Sequence, residues 1–395
     1  MTAQPPNLPR PFSAMTKPMG PRCNIDCSYC YYLEKEELYP EESKFRMSAA
    51  VLETYTRELI SAGLAAGQRE ISFAWHGGEP TLVGLGFFER AVELQRQYAP
   101  PGTTIVNTLQ TNGMLVDDTW AEFFARERFL IGLSVDGPKH LHDRFRRDRA
   151  GRPTYDAVMR GLDALRRHSV EFNVLTAIHH GNVSRGKDLY RFLRELGTNY
   201  IQFIPVVERK LATGSLSGPP EAGQASDAQV ADWSVSPRAY GKFLCDVFDI
   251  WYRQDVGRIS VQFFENQLFL WSGLPASLCV FAETCGAGLA VEHNGDVYAC
   301  DHYVYPEYLL GNLMETPLSS LAWSSRMETF GNDKRDKLTA QCQRCKFRFA
   351  CHGGCPKHRI LKSEDGEPGH NYFCVSYTMF FRHASERLKE LILRR

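Results

Sequence analysis

Short apolar runs rich in β-branched and aromatic residues recur through the first half of the chain, at residues 12–16, 71–75, 104–109, 129–135, 172–178 and 200–206. Between them, apolar positions repeat at helical spacing. Val51, Leu52, Tyr55 and Leu59 form one stripe behind Ser48, a side chain suited to cap a helix start. Tyr190, Leu193 and Leu196 form another that stops at Gly197. Strands alternating with helices predict a parallel sheet with right-handed crossovers, either an open doubly wound sheet or a barrel. Six repeats suit a partial (β/α)6, TIM-like barrel, so the fold class is read as α/β.

Beyond residue 208 the alternation stops. Residues 212–229, ATGSLSGPPEAGQASDAQ, carry too little apolar surface to order firmly, and residues 209–235 are expected to form a flexible insert closing a first domain over 1–235. A helix is predicted over 237–254, where Cys245 sits among Phe243, Leu244, Val247 and Phe248 and reads as core packing. Further on, Asn294-Gly295 between apolar segments signals a hairpin turn, with Cys300 at the end of its second strand. Residues 236–395 are therefore expected to form a second, cysteine-rich domain with a small β-hairpin and C-terminal helices.

Composition narrows the function classes. With 46 basic and 46 acidic residues the net charge is zero, so no global field draws the chain to nucleic acid or anionic lipid. The apolar runs are far too short to span a bilayer, and no membrane or nucleic-acid partner is expected. The N-terminal MTAQPPNLPRPF lacks a signal pattern, which points to the cytoplasm, where structural disulfides are not expected. Twelve cysteines then need another explanation. Cys23, Cys27 and Cys30 sit together, while Cys279, Cys285, Cys300, Cys342, Cys345, Cys351, Cys355 and Cys374 crowd the last third, spacings that favour soft-metal ligation. CxxxCxxC on one loop can hold three corners of a four-iron cluster and leave the fourth iron open to a substrate or cofactor. A zinc knuckle is the alternative, but it wants a fourth Cys or His nearby, and none follows Cys30 within the next thirty positions. The eight C-terminal cysteines suffice for two further four-iron clusters, with paired zinc sites as the alternative.

The segment CNIDCSYCYY, residues 23–32, resembles the radical S-adenosylmethionine signature, with Tyr29 as the aromatic residue before its last cysteine. Gly77, Gly78, Glu79 and Pro80, directly after ISFAW, resemble the turn that receives the amino group of S-adenosylmethionine in that superfamily. The resemblance implies cofactor contacts at Tyr29 and Gly78, at Ser134 in LSVDG, at Arg146 in DRFRRD and at Val207 beyond the sixth strand. The later cysteine spacing resembles a SPASM domain. It implies one auxiliary cluster on Cys279, Cys285, Cys300 and Cys355 and a second on Cys342, Cys345, Cys351 and Cys374, three four-iron clusters in all.

Residues 297–312, VYACDHYVYPEYLLGN, resemble the anaerobic sulfatase-maturating enzymes, with an aspartate after a cluster cysteine and an LGN turn closing the segment. The likeness runs nearly the whole length. It implies oxidation of a serine or cysteine of a sulfatase-type peptide to Cα-formylglycine, with Asp301 as proton acceptor and an external one-electron donor of flavodoxin or ferredoxin type. Another SPASM peptide maturase, forming a thioether or carbon–carbon crosslink, is the competing expectation. Two features depart from the family pattern. His76 stands where some members carry glutamine before the double glycine, so the substrate contact there is expected to differ, and the 212–229 insert lies where a peptide could pass. Serine-type and cysteine-type substrates stay open at this point.

Overall fold

The structure, a computed structural model, describes residues 9–40, 44–220, 228–286 and 288–394. Six strands run parallel in sequence order: β1 (Ser13–Thr16), β2 (Glu70–Trp75), β3 (Thr104–Thr111), β4 (Leu130–Ser134), β5 (Phe172–Ile178) and β6 (Tyr200–Pro205). Each pairs in register with the next, for example Ile71 with Ile105 and Leu133 with Val174. In β2 the period-two pattern is clean, since Ile71, Phe73 and Trp75 are buried while Glu70 and Ser72 are exposed. Helices α1 (Ala49–Ala65), α2 (Leu85–Tyr98), α3 (Asp118–Arg126), α4 (Lys139–Phe145), α5 (Tyr155–Arg167) and α6 (Gly186–Glu195) fill the crossovers. Ser48 caps α1 as expected, its Oγ accepting from Val51 N at 3.2 Å. Past the end of α6, Gly197 adopts φ +73°, a conformation open mainly to glycine.

The insert differs from the sequence expectation at its ends. β7 (Arg209–Lys210) pairs antiparallel with β8 (Gln229–Val230), and Leu216 N donates to Glu34 Oε2 at 2.7 Å. Residues 209–220 thus begin in a short strand and lie against neighbouring structure; residues 221–227 of the expected flexible insert lie outside the described residues. Helix α7 (Pro237–Gln254) matches its predicted span. Cys245, expected in the core, instead lies half-buried beside Asp249, because the buried stripe of α7 runs through Phe243, Leu244, Val247 and Phe248.

The second difference concerns the hairpin. Strand β9 (Ser260–Val261), which leads into α8 (Gln262–Trp271), runs parallel beside β6, while β10 (Gly288–Val291) runs parallel beside β1 with Ser13 opposite Gly288 and Thr16 opposite Val291. β11 (Asp296–Tyr298) and β12 (Leu309–Asn312) then continue antiparallel, giving one ten-stranded open sheet. The hairpin does turn at Asn294-Gly295, but it extends the barrel sheet across the expected 235/236 boundary. The physical reason is the edge of β1, whose unpaired backbone groups β10 satisfies. The segment read as an LGN turn is itself strand β12, where Asn312 clamps the hairpin through Asn294 O at 3.2 Å and Asp296 Oδ1 at 2.9 Å. One core packs β1–β3 around Tyr55, Phe73, Trp75 and Phe88. A second joins β4–β6 to α7, α8 and the C-terminal helix Cys374–Leu393, so the cysteine-rich part shares its core with the barrel. No helix among the described residues is long and apolar enough to cross a membrane.

Candidate active site

The carboxyl ends of β2 to β6 open onto a cavity of about 320 Å³. Cys23, Cys27, Cys30, Tyr29, His76, Gly78, Ser134, Arg146 and Val207, expected from sequence to act together, all line it. The loop that carries the first three cysteines is braced by the glycine turn after β2: Gly78 N donates to Gly20 O and Glu79 N to Arg22 O, both at 2.9 Å. A Cβ on Gly78 would lie 2.1 Å from Arg22 O, so only glycine permits this approach. Glu79 is fully buried and takes four donors, from Thr81 N and Oγ1, Thr111 Oγ1 and Asn112 N. Burial pushes its carboxyl above the usual range, although these donors oppose the shift. Its role is to tie the ends of β2 and β3 to the cysteine loop.

On the opposite wall Arg146 Nη1 donates to Tyr29 Oη at 2.9 Å, and Tyr29 donates to Asp136 Oδ2 at 2.5 Å. His179 stacks on Tyr29 with ring centroids 5.5 Å apart. Arg146 Nε is buried without a hydrogen-bond partner among the described residues, a donor suited to an anionic group. Asp136 and His179 were missed from the sequence, although Asp136 stands two residues beyond Ser134 in the same LSVDG segment.

Asp301 follows Cys300 beyond β11, and both of its carboxylate oxygens are engaged. Oδ1 forms an ion pair with Lys17, at the end of β1, and Oδ2 accepts from the hydroxyl of Tyr31. Burial would raise its pKa, but Lys17, with His76 and His302, outweighs that and holds the carboxyl well below the usual range. Lys17 is itself buried, 3.2 Å from the centroid of the Tyr32 ring. Tyr31, His76 and His302 line the cavity, so Asp301 meets it through them. Burial lowers the pKa of His76, keeping the imidazole neutral, and its Nδ1 accepts from Gly77 N at 2.7 Å, which assigns the proton to Nε2. Lys357, paired with Glu208 Oε1 at 2.5 Å, covers the far face of Tyr31. Lys17, Tyr31, Glu208 and Lys357 also escaped the sequence reading; the only local signal was that each lies beside a strand end or a cysteine motif.

All twelve cysteines are free thiols. In the first loop burial pushes the Cys23 thiol up to about 12, with Glu79 and Cys30 adding to the effect. In the C-terminal part burial likewise pushes Cys285 up to about 12, and its thiol neighbours are Cys355 and Cys279. Cys300 is raised by burial and then by Cys355 and Cys279. Separately, Cys351 is raised to about 12 by burial and then by Cys374, Cys342 and Cys345. Charge interactions thus link Cys279, Cys285, Cys300 and Cys355, and separately Cys342, Cys345, Cys351 and Cys374, although among the described residues no group of three or more His, Cys, Asp or Glu side chains is arranged to hold a metal ion. Thiols in these numbers supply the donor type of an iron–sulfur cluster.

Comparison with known proteins agrees with this geometry. Residues 18–193 match the family model of the radical SAM superfamily, and residues 279–346 match SPASM, an iron-sulfur cluster-binding domain. The serine-type anaerobic sulfatase-maturating enzyme of Bacteroides thetaiotaomicron is 42% identical over 376 residues, 95% of this chain and 90% of that protein. The cysteine-type anaerobic sulfatase-maturating enzyme of Clostridium perfringens strain 13 is 34% identical over 384 residues, 96% and 97% of the two chains. The solved structure of native anSMEcpe with bound AdoMet and Kp18Cys peptide superimposes with a TM-score of 0.83 at 33% identity, over 98% of this chain and 100% of that one. With its thiol trio at the mouth of a parallel partial barrel and its cysteine-rich C-terminal part, the chain belongs to the anaerobic sulfatase-maturating enzymes, oxidoreductases of the radical SAM superfamily that use S-adenosylmethionine and a four-iron cluster and carry an iron–sulfur SPASM domain.

Proposed function

We propose that this chain oxidises a serine or cysteine of a sulfatase-type peptide to Cα-formylglycine, in the cytoplasm and with an external one-electron donor of flavodoxin or ferredoxin type. Residues 1–235 supply the cofactor site and residues 236–395 hold two auxiliary clusters, one on Cys279, Cys285, Cys300 and Cys355 and one on Cys342, Cys345, Cys351 and Cys374. With the cluster on Cys23, Cys27 and Cys30 this makes three. Tyr29, Gly78, Ser134, Arg146 and Val207 hold S-adenosylmethionine. When bound, these groups supply one-electron chemistry and a radical able to take a hydrogen atom from an unactivated carbon.

The observation that carries this reading is Asp301, an ionised carboxylate reached from the cavity through Tyr31. Loss of a hydrogen atom from the β-carbon of the target residue leaves one proton and one electron to remove before an aldehyde, or a thioaldehyde that hydrolyses to it, can form. Asp301 takes the proton from the substrate hydroxyl or thiol, which makes the adjacent radical far easier to oxidise. Tyr31 lies between the cavity and Oδ2, so the substrate either displaces its hydroxyl or hands the proton through it. Burial and the nearby carboxylate raise the Tyr31 pKa well above its ordinary value, so it remains a donor at neutral pH. Neutral His76, with its Nε2 proton, orients the substrate from the β2 side. Arg146, held by Tyr29 and Asp136, presents its unpartnered Nε to the cofactor side of the same cavity.

The test is anaerobic incubation of the reconstituted chain with reductant, S-adenosylmethionine and a sulfatase-motif peptide, in serine and cysteine versions, read by mass spectrometry. Aldehyde on either peptide supports the reading. A crosslinked product, or none with 5′-deoxyadenosine still formed, rejects it.

A further inference from the structure

A surface beside the last thiol quartet has no part in the chemistry above. Cys345 is half-buried, and Phe347 N donates to its Sγ at 3.4 Å. The Phe347 ring packs against Phe381 at 5.3 Å and Trp271 at 6.4 Å between centroids, and Trp271 meets Phe349 at 4.7 Å. This aromatic chain leads outward to Phe349, which is 44% exposed. Singly exposed apolar residues are ordinary, but Phe349 stands at the outer end of a path that starts at Cys345, one of the proposed cluster ligands.

The charge around this path is one-sided. From residue 338 to residue 362 the chain contains no acidic residue, in a protein whose total charge is zero. Arg344, Lys346 and Arg348 are all exposed, threaded between Cys342, Cys345 and Cys351. Arg344 pairs with Asp365 at 2.8 Å. Lys346 lies 5.0 Å from the Phe347 ring centroid and Arg348 donates to Gln343 O at 3.4 Å, and among the described residues neither forms an ion pair. Their positive charge is therefore uncompensated at the rim of the apolar spot.

We propose that this face is the docking surface of a small acidic one-electron carrier protein. The inference rests on the proposed oxidation, whose last step releases one electron per target residue. The proton goes to Asp301, the electron goes to the oxidised carrier, and the carrier is thereby reduced by one. A small apolar centre ringed by unpaired cations suits a brief complex with an acidic partner, because complementary charge speeds encounter while limited apolar area permits release.

The experiment uses the full chain with its clusters reconstituted and an acidic flavodoxin as probe, with binding measured by anaerobic calorimetry at low and high salt. Wild type should bind flavodoxin, more weakly as salt rises, and should not bind cytochrome c, a basic one-electron carrier. Lys346→Glu with Arg348→Glu should weaken flavodoxin binding by on the order of tenfold or more and flatten its salt dependence. Its iron content and its peptide turnover with dithionite as reductant should be those of wild type. If iron is lost in that variant, Lys346→Gln with Arg348→Gln replaces it in the same measurement. Unchanged binding in the charge variants, or equal binding of cytochrome c, overturns the proposal. So does a concentration-dependent dimer of wild type that the variants abolish, since the face would then be covered by a second copy. Absence of aldehyde from the wild type with dithionite would instead reject the proposed reaction, an outcome separable from carrier binding.

Discussion

Lys17 and Asp301 form an ion pair that joins the end of the first barrel strand to the segment beyond the hairpin. The lysine side chain is fully buried, and the carboxylate is 17% exposed. Because β10 lies beside β1, with Lys17 N donating to Val291 O at 2.9 Å, the same sheet extension that satisfies the strand edge also sets Asp301 against Tyr31, which lines the cavity. The expected proton acceptor is thus a built-in part of the barrel rather than a group on an appended domain.

Removing the lysine should leave an unpaired, largely buried carboxylate, a loss worth about 3–5 kcal/mol when one partner of such a pair is deleted. Lys17→Met is expected to lower the unfolding midpoint of the reconstituted chain, and Lys17→Met with Asp301→Asn to recover part of it. Thermal denaturation of the two variants checks this. Equal midpoints for the single and double variants would mean that the pair adds nothing to the fold.

Asp301→Asn should separate cofactor cleavage from product formation. The amide keeps the size of the side chain and can still accept from Tyr31, but it has no useful basicity, and a general base is worth roughly 10²–10⁴-fold in rate. The ratio of 5′-deoxyadenosine to formylglycine should rise by a factor in that range. If both products fall together, Asp301 organises the site without serving as the base.

Iron content should follow the thiol groupings. Anaerobically reconstituted chain should carry about twelve irons, and triple replacement of Cys23, Cys27 and Cys30 by alanine should remove about four of them. Gly78→Ala should cost the same four and no others, since its Cβ would press the cysteine loop away at Arg22 O. Cys342→Ala or Cys351→Ala should lower both iron content and solubility, because that part of the chain draws folding free energy from its ligated groups. Full iron in either variant would break the assignment of that quartet.

Lys35 gives a pH-dependent stability. It is 4% exposed, with Nζ 3.1 Å from the Tyr305 ring centroid. Burial, then Lys17 and Lys357, lower its pKa from 10.5 to about 7. Between those values the unfolded chain holds a proton that the folded chain has released, so the cost of burying this lysine is full below about pH 7 and fades as pH rises toward 10.5. Lys35→Met should therefore raise the unfolding midpoint most below pH 7, with the gain shrinking toward pH 10. A gain of constant size across that range would show that Lys35 keeps its ordinary titration.

Much of the architecture was legible because it is written in local spacing. Alternation of buried and exposed positions marks β2, the Ser48 cap marks the start of α1, and α7 spans the residues its apolar stripe indicates. The thiol trio belongs to this class too, since three cysteines within eight residues can meet only on one loop. The division of the eight later cysteines came from family resemblance, because spacing along the chain does not say which distant thiols share a site.

What the chain pattern could not reveal are the pairings between distant residues. Glu79 reads as part of a cofactor turn, yet its carboxylate is consumed by donors from Thr81, Thr111 and Asn112. Tyr29 reads as an aromatic residue beside a cysteine, yet its hydroxyl links Arg146 to Asp136. A hairpin turn is legible at Asn294-Gly295, but a strand carries no mark of which edge it will pair with, because backbone hydrogen bonding is the same for every sequence. That choice, made by the exposed edge of β1 and by the apolar face that Leu289, Val291 and Val297 add to its core, is what brings Lys17 against Asp301.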